Sequence, residues 1–320
     1  MKTVILTAAV ALYAIAFPAN TMAGDYPTKP IRMIVPYPPG GGTDIISRVI
    51  GHHLTERLGS QIVIENRGGA GGTIGMAIAA GGQADGYTLV MGQTSNLAIG
   101  PSLYKKLPYD PMRSFAPVSL VDSAPLALSV ATNAPYRSVR ELIDASKKRS
   151  DSLNFASPGN GTVAHLTGEL VKRVTGMRFV HVPYKGAAQA IPDLIAGRAD
   201  FYISSLESAK PHMQSGKVRV LAVTSAVRAP DAPDIPTIAE AGYPGFEAST
   251  WWGILTPAGT PASVIQRLDK AIEAVLRLPE VNRQLGGDKV DTGPAAFGKL
   301  LKTDYAKWAE VVKSAGLVPN

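Results

Sequence analysis

Two stretches of this chain share one grammar, and that repetition limits the fold more than any other feature. The first is an apolar run, Ile31–Val35, followed by Tyr37-Pro38-Pro39-Gly40-Gly41-Gly42-Thr43-Asp44 and a helical pattern from Ile45 to Leu58. The second is Leu153–Ala156, then Ser157-Pro158-Gly159-Asn160-Gly161-Thr162, then Val163, Leu166, Leu170 and Val174 at helical spacing. A strand that turns through glycine into a helix leaves unpaired backbone N–H groups at the helix start. Together with the positive end of the helix dipole, those groups favour an anion. The first turn reads as half of a carboxylate clamp and the second as its other half.

The chain around these turns alternates in the same way. Ile45, Ile46, Val49, Ile50, Leu54 and Leu58 fall on one helical face, and Gly59 ends that helix. Gln61–Glu65 and Tyr87–Met91 read as strands, with a helix between them through Met76, Ile78 and Ala79. Such alternation predicts a parallel sheet covered on both faces. Thr94-Ser95-Asn96 follows the third strand, where ligand-contacting loops lie in sheets of this kind. Pro101 to Phe115 is expected to be irregular, and the long apolar stretch Pro117–Thr132 to leave one α/β unit and enter another. In the second unit Ser138 and Glu141 have capping-box spacing. Strands are expected at Phe179–Val182, Ala199–Ser204 and Val218–Ser225, helices at Ala187–Ala196 and, briefly, after Ala229–Pro236. Trp251–Leu255 reads as the returning strand, followed by a helix over Pro261–Leu278. A terminal amphipathic helix carries Phe297, Leu300, Leu301, Tyr305, Trp308, Val311 and Val312 and stops at Gly316. The expected organisation is one lobe of residues 24–124 and 248–320 and a second of residues 125–247. Two crossings form a hinge, and the ligand lies in the cleft.

Residues 1–23 stand apart. Lys2, the apolar stretch Val4–Phe17 and Thr21-Met22-Ala23 read as a secretory signal peptide cleaved after about Ala23, which places the mature protein in the periplasm. That apolar run is too short to span a bilayer comfortably. The chain has no Cys, so neither a disulfide nor a cysteine-linked lipid anchor can form. The formal charge is +7; without Lys2, the only charged residue before Gly24, it is 31 minus 25, or +6. The basic residues are scattered except for Lys147-Lys148-Arg149, which reads as a solvated helix end, so no nucleic-acid partner is expected.

A carboxylate site needs donors. The first lobe offers Tyr37, Pro38, Pro39, Gly40 and Gly41, with hydroxyls from Thr94 and Ser95. The second offers Ser157, Gly159, Asn160, Thr162 and, at a strand end, Ser204. Each charge-assisted hydrogen bond contributes about 1.5–3 kcal/mol, so three or four, after ordering costs, suffice for roughly micromolar binding. Such a ligand favours the closed state, because only there do both donor sets reach it. Asp44 reads as a first-turn helix stabiliser. His165 either donates to the anion or caps its own loop. Lys185 is a solvated side chain or a steering charge. Trp251 and Trp252 line a pocket or fill a buried strand.

Enzymatic chemistry finds less support. Gly69-Ala70-Gly71-Gly72-Thr73-Ile74-Gly75 partly resembles a dinucleotide fingerprint, but its last glycine is one position late and no Walker-type Lys follows. There is no G-x-S-x-G elbow. His52 and His53 are neighbours that are not expected to share a helix face, and no His pair has metal spacing. No catalytic set, cofactor or metal is therefore expected.

Five motifs then occur in order: Tyr37–Asp44, Glu65-Asn66-Arg67-Gly68-Gly69-Ala70-Gly71-Gly72, Asp85-Gly86-Tyr87-Thr88-Leu89, Gly161-Thr162-Val163-Ala164-His165-Leu166 and His181-Val182-Pro183-Tyr184-Lys185-Gly186. With the signal peptide, they closely resemble the extracytoplasmic solute receptors of tripartite tricarboxylate transporters, the Bug-type binding proteins, over essentially the whole mature chain. The resemblance implies a type II periplasmic binding protein: two doubly wound α/β lobes that close on a small organic acid, a dicarboxylate or an aromatic carboxylate. It implies delivery to the membrane permease subunits of such a transporter, and no catalysis. The ligand-loop role falls on Pro38 to Gly42 and on Ser157 to His165. Pro39 departs from the pattern, since many relatives carry a smaller residue there. The chain is expected to act as a monomer. Two other readings stay open: an exported nucleotide-dependent enzyme, built on Arg67–Gly75, and a carboxylate sensor that hands its closed form to a membrane receptor.

Overall fold

A computed structural model describes residues 26–148, 152–285 and 292–314. The signal peptide, Arg149 of the basic triplet and Gly316 lie outside the described residues. The first part of the chain forms β1 (Ile31–Val35), α1 (Gly42–Leu58), β2 (Ile62–Asn66), α2 (Thr73–Ala80), β3 (Thr88–Gln93) and the single turn α3 (Gly100–Leu103). A long strand, β4 (Phe115–Ala131), leads to α4 (Val139–Lys148), β5 (Leu153–Ser157), α5 (Val163–Thr175), β6 (Phe179–Pro183) and α6 (Ala187–Ile195). Then come β7 (Phe201–Ser205), α7 (Leu206–Gln214), β8 (Val218–Val223), β9 (Ser249–Pro257), α8 (Ala262–Leu276), α9 (Pro279–Gln284) and α10 (Pro294–Ser314).

The strands run in the order β2-β1-β3-β9-β4-β7-β5-β6, with β8 also paired to β4. The expected parallel sheet holds only at the two ends. β1 pairs in parallel with β2 and β3, and β5 with β6 and β7. The middle is antiparallel, because β9 returns against both β3 and β4. β4 is the 17-residue strand that the apolar stretch foreshadowed. Its first part, Phe115–Pro125, pairs with β9, and its last part, Leu126–Ala131, pairs with β7 and β8.

Local sequence explains the elements that carry the site. Ile46, Ile50 and Leu54 recur every four residues on α1 and are fully buried. They pack with Ile31 and Met33 of β1 and with Leu268 and Ile272 of α8, fixing α1 against the sheet. Gly59 ends α1 in the left-handed region (φ 65°). On α10, Phe297, Leu301, Trp308 and Val312 face the core, whereas Tyr305, expected on that face, is exposed. Three other expectations change. A π-helical turn (Ser95–Ile99) takes the place of the loop expected at Thr94–Asn96 and α3 that of the irregular start of Pro101–Phe115, α9 is an added element, and turns replace the short helix after Pro236. No helix among the described residues is long and apolar enough to cross a membrane.

Candidate functional site

The starts of four helices converge on one small cavity of about 60 Å³. α1 brings Gly41, Gly42 and Thr43; α5 brings Thr162, Val163 and Ala164; α6 brings Gly186 and Ala187; α7 brings Ser204, Ser205 and Ser208. The last wall comes from Tyr37, Pro38, Gln93, Ser95, Thr250 and Trp252, with Leu126 and Pro158. No lining residue carries a charged side chain. The cavity's polar lining is hydroxyls, the Gln93 amide and backbone at helix starts, an arrangement that favours an anion without a salt bridge.

A chain of hydrogen bonds sets the direction of one donor. Trp252 Nε1 and Gln93 Nε2 both donate to Thr43 Oγ1, at 3.0 and 3.2 Å, and Thr250 Oγ1 donates to Gln93 Oε1 at 3.3 Å. With two N–H groups on its oxygen, Thr43 has its own hydroxyl hydrogen left to give.

The two halves of the molecule touch around this cavity. Gly42 N–H donates to Ser208 Oγ (3.1 Å), and Val163 N–H donates to Ser95 Oγ (3.0 Å). A Cβ on Gly42 would overlap Ser205 Oγ and would push that hydroxyl, the cap of α7, from its place. Pro38 lies against Gly186, where an added Cβ would stand 3.2 Å from Pro38 Cγ.

A wider groove of about 840 Å³ lies beyond Tyr37, Pro38 and Pro158, which border both spaces. Pro39, Gly68 to Gly72 and Tyr104 line one side; Gly159 to Gly161, His165, Tyr184 and Lys185 line the other. Tyr37 donates to Gly71 O at 2.8 Å. Burial pushes its hydroxyl far above its ordinary pKa, so it is a neutral donor.

The two clamp turns are held by different chemistry. Asp44 accepts from Gly40 N–H (3.0 Å), Arg48 Nε (3.0 Å) and Asn66 Nδ2 (2.9 Å), and Asn66 Nδ2 also reaches Tyr37 O. Burial raises the Asp44 pKa, but the hydrogen bonds from Arg48, Gly40 and Asn66 together outweigh it and hold the carboxyl below its ordinary range. In the second turn, Ser157 Oγ and His181 Nε2 share a hydrogen bond of 2.7 Å, and His181 stacks on His165 with ring centroids 4.1 Å apart. His165 Nδ1 accepts from Gly161 N–H (3.3 Å), and Thr162 Oγ1 bridges Gly159 O and His165 N–H. Burial lowers the pKa of His165 to about 4; burial and then the neighbouring His165 lower that of His181 to about 3. Both imidazoles are therefore neutral at pH 7.

Of the residues singled out from sequence, Tyr37, Pro38, Gly41, Ser95, Thr162 and Ser204 line the inner cavity. Pro39, Gly159, Asn160 and His165 line the outer groove. Gly40, Thr94 and Ser157 are on neither wall. Gly40 N–H is taken by Asp44, Thr94 Oγ1 accepts from Trp251 N–H (3.0 Å), and Ser157 Oγ holds its own turn. His165 caps its loop, one of the two roles left open for it. Trp252 lines the cavity; Trp251 is buried, with Phe297 beside it and Asp304 accepting from Nε1.

Sequence reasoning missed Thr43, Gln93, Ser208, Thr250 and the α6 start. For Ser208 a signal existed. Ser205 and Ser208 flank a strand-to-helix transition at N-cap spacing, and Ser205 Oγ accepts from Ser208 N–H. Behind them Glu207 is buried with both carboxylate oxygens lacking a hydrogen-bond partner. Burial, and then the Asp122 carboxylate, raise its pKa to about 8. The glycines of the dinucleotide-like stretch have packing roles: a Cβ on Gly72 would meet Asn96 and Tyr37, and one on Gly75 would meet Arg67 O and Pro36. His52 and His53 stand close together on α1. Glu56, one turn on, brings a ligand atom of all three within 4.8 Å of one another.

The comparisons with known proteins agree with this geometry. The family model described as "Tripartite tricarboxylate transporter family receptor" matches residues 46–317. Protein BugT of Bordetella pertussis is 37% identical over 311 residues, covering 96% of this chain and 95% of the relative. The structure of the periplasmic binding protein BugD is 36% identical, with a TM-score of 0.85 over 92% of this chain and 100% of that one. R. palustris Rpa4515, solved with adipate, is 35% identical, with a TM-score of 0.89 over 92% of this chain and 100% of that one. The architecture is thus the two-lobed α/β fold of periplasmic binding proteins. The chain belongs to the tripartite tricarboxylate transporter family of receptors.

Proposed function

We propose that the mature protein works in the periplasm as a receptor for a small organic acid, and that it hands the loaded, closed form to membrane permease subunits. Cleavage after about Ala23 releases it. The lobes run over residues 24–124 with 248–320 and over residues 125–247. The observation that carries this reading is the convergence of four helix starts on one cavity without a charged side chain. Such a site gives a carboxylate several N–H and O–H donors and no competing acid. The adipate held by Rpa4515 supports an acid with two carboxylates. On this reading, Gly41, Thr43, Thr162 and Ser204 contact the acid, and His165 with Asn160 shapes the mouth.

Titration calorimetry and thermal shift against mono-, di- and tricarboxylates test the reading. An acid present at 100 times its Kd should stabilise the protein by about 2.7 kcal/mol. If no acid binds better than about millimolar, near −4 kcal/mol, the receptor reading fails. Capture of the permease subunits by the loaded protein, and not by the empty one, tests delivery.

A further inference from the structure

We propose that His52, His53 and Glu56 form a surface site for a divalent late-transition ion of the Zn²⁺ class, separate from the acid cavity. Glu56 lies four residues after His52 and three after His53, so at 100° per residue its direction falls between theirs, one turn along α1. The coordinates bear this out. His52 Nε2 stands 3.8 Å from Glu56 Oε1, and His53 Nδ1 stands 3.9 Å from Glu56 Oε2. The two rings meet edge-on with centroids 5.0 Å apart. One ligand atom of each residue lies within 4.8 Å of the other two, the only such trio among the described residues.

Zinc bonds of 2.0–2.2 Å in tetrahedral geometry place neighbouring donors about 3.4 Å apart. On that scale each imidazole must close on Glu56 by about half an ångström, and the trio as a whole, now within 4.8 Å, by up to about 1.4 Å. His52 and Glu56, 71% and 68% exposed, can turn by χ changes towards His53, which is 15% exposed. Two imidazoles and one carboxylate suit Zn²⁺, Ni²⁺ or Cu²⁺ and disfavour the all-oxygen ions Mg²⁺ and Ca²⁺. Water fills the remaining positions. Of the trio only Glu56 lies in the last turn of α1, and both imidazoles stand one turn before it. The acid-binding end of the same helix begins ten residues earlier, about 15 Å away. Ion and acid are therefore held independently.

The test is calorimetric titration of the untagged mature chain with ZnCl₂, without any acid. One-to-one binding with a micromolar Kd is expected, with a rise in the thermal midpoint. H52A and E56Q should each weaken it by about tenfold or more, and H212A, on α7, should leave it unchanged. Cu²⁺ loaded at the same site should show coupling to two nitrogens in its electron paramagnetic resonance spectrum, reduced to one by H53A. Failure to saturate below about 1 mM, or an H52A/H53A double variant that binds zinc as the wild type does, overturns the proposal.

Discussion

The turns that open α1 and α5 border the same cavity, yet they are built from opposite materials. The α1 turn is braced by an ionised carboxylate, Asp44, that ties Gly40, Arg48 and Asn66 together. The α5 turn is braced by neutral groups: the Ser157–His181 hydrogen bond, the stacked imidazoles and the Thr162 cap. The contrast teaches that two turns bordering one cavity can be held by different chemistry. The charged brace, Asp44, stays off the cavity wall and bonds Gly40, Arg48 and Asn66.

The largest expected effect separates shape from donation. Gly41 has open space where a Cβ would stand, whereas Gly42 would meet Ser205 and Trp252. G42A should weaken acid binding by at least about 100-fold, near 2.7 kcal/mol, with its circular dichroism spectrum unchanged. G41A should stay within about threefold of wild type, under 0.7 kcal/mol. Equal losses in the two variants, read by calorimetry, would mean that the approach of α7 to α1 is not what sets affinity.

Acid should break the α5 brace first. His165 and His181 have folded pKa values of about 4 and about 3, below the ordinary 6.5, so the unfolded chain takes up protons first as pH falls. Their contribution to stability is complete above pH 6.5 and is lost as pH drops towards 4 and then 3. The Asp44 pKa is lowered from its ordinary 3.8, so its contribution persists until lower pH. The thermal midpoint of the acid-free protein should therefore drop between pH 6.5 and 4, and H181F should flatten that slope. A D44N variant that flattens the same window instead would reverse the assignment.

The α7 wall should respond to alkali instead. Glu207 has a folded pKa of about 8 against an ordinary 4.5, so folding takes up a proton between those values and stability declines as pH rises through that window. E207Q removes the uptake. Its midpoint should exceed the wild-type value by a margin that grows from pH 5 to pH 8; a margin independent of pH would show that the carboxyl does not titrate there.

Much of this was legible in the chain because it is local. Glycine between an apolar run and a helical period announces a strand-turn-helix, and both clamp turns, α1 and the long β4 follow from that grammar. The antiparallel centre of the sheet was not legible, since periodicity says nothing about which way β9 runs beside β3. Neither was the fate of individual hydroxyls. Thr94 Oγ1 accepts from Trp251 N–H and Ser157 Oγ pairs with His181, partners that lie 157 and 24 residues away and that periodicity does not reveal. Gln93 and Thr250 sit 157 residues apart and become one network only after folding. The closeness of Glu56 to both His52 and His53 is itself local, since it follows from helical spacing along α1.

β4 has a consequence of its own. It crosses between the two halves without a break, paired with β9 on the near side and with β7 and β8 on the far side. Its ladder slips register after Pro117, after Leu120 and again after Leu128. Bulges concentrate twist in a strand. The link between the halves is thus a paired, bulged ribbon and not a slack tether.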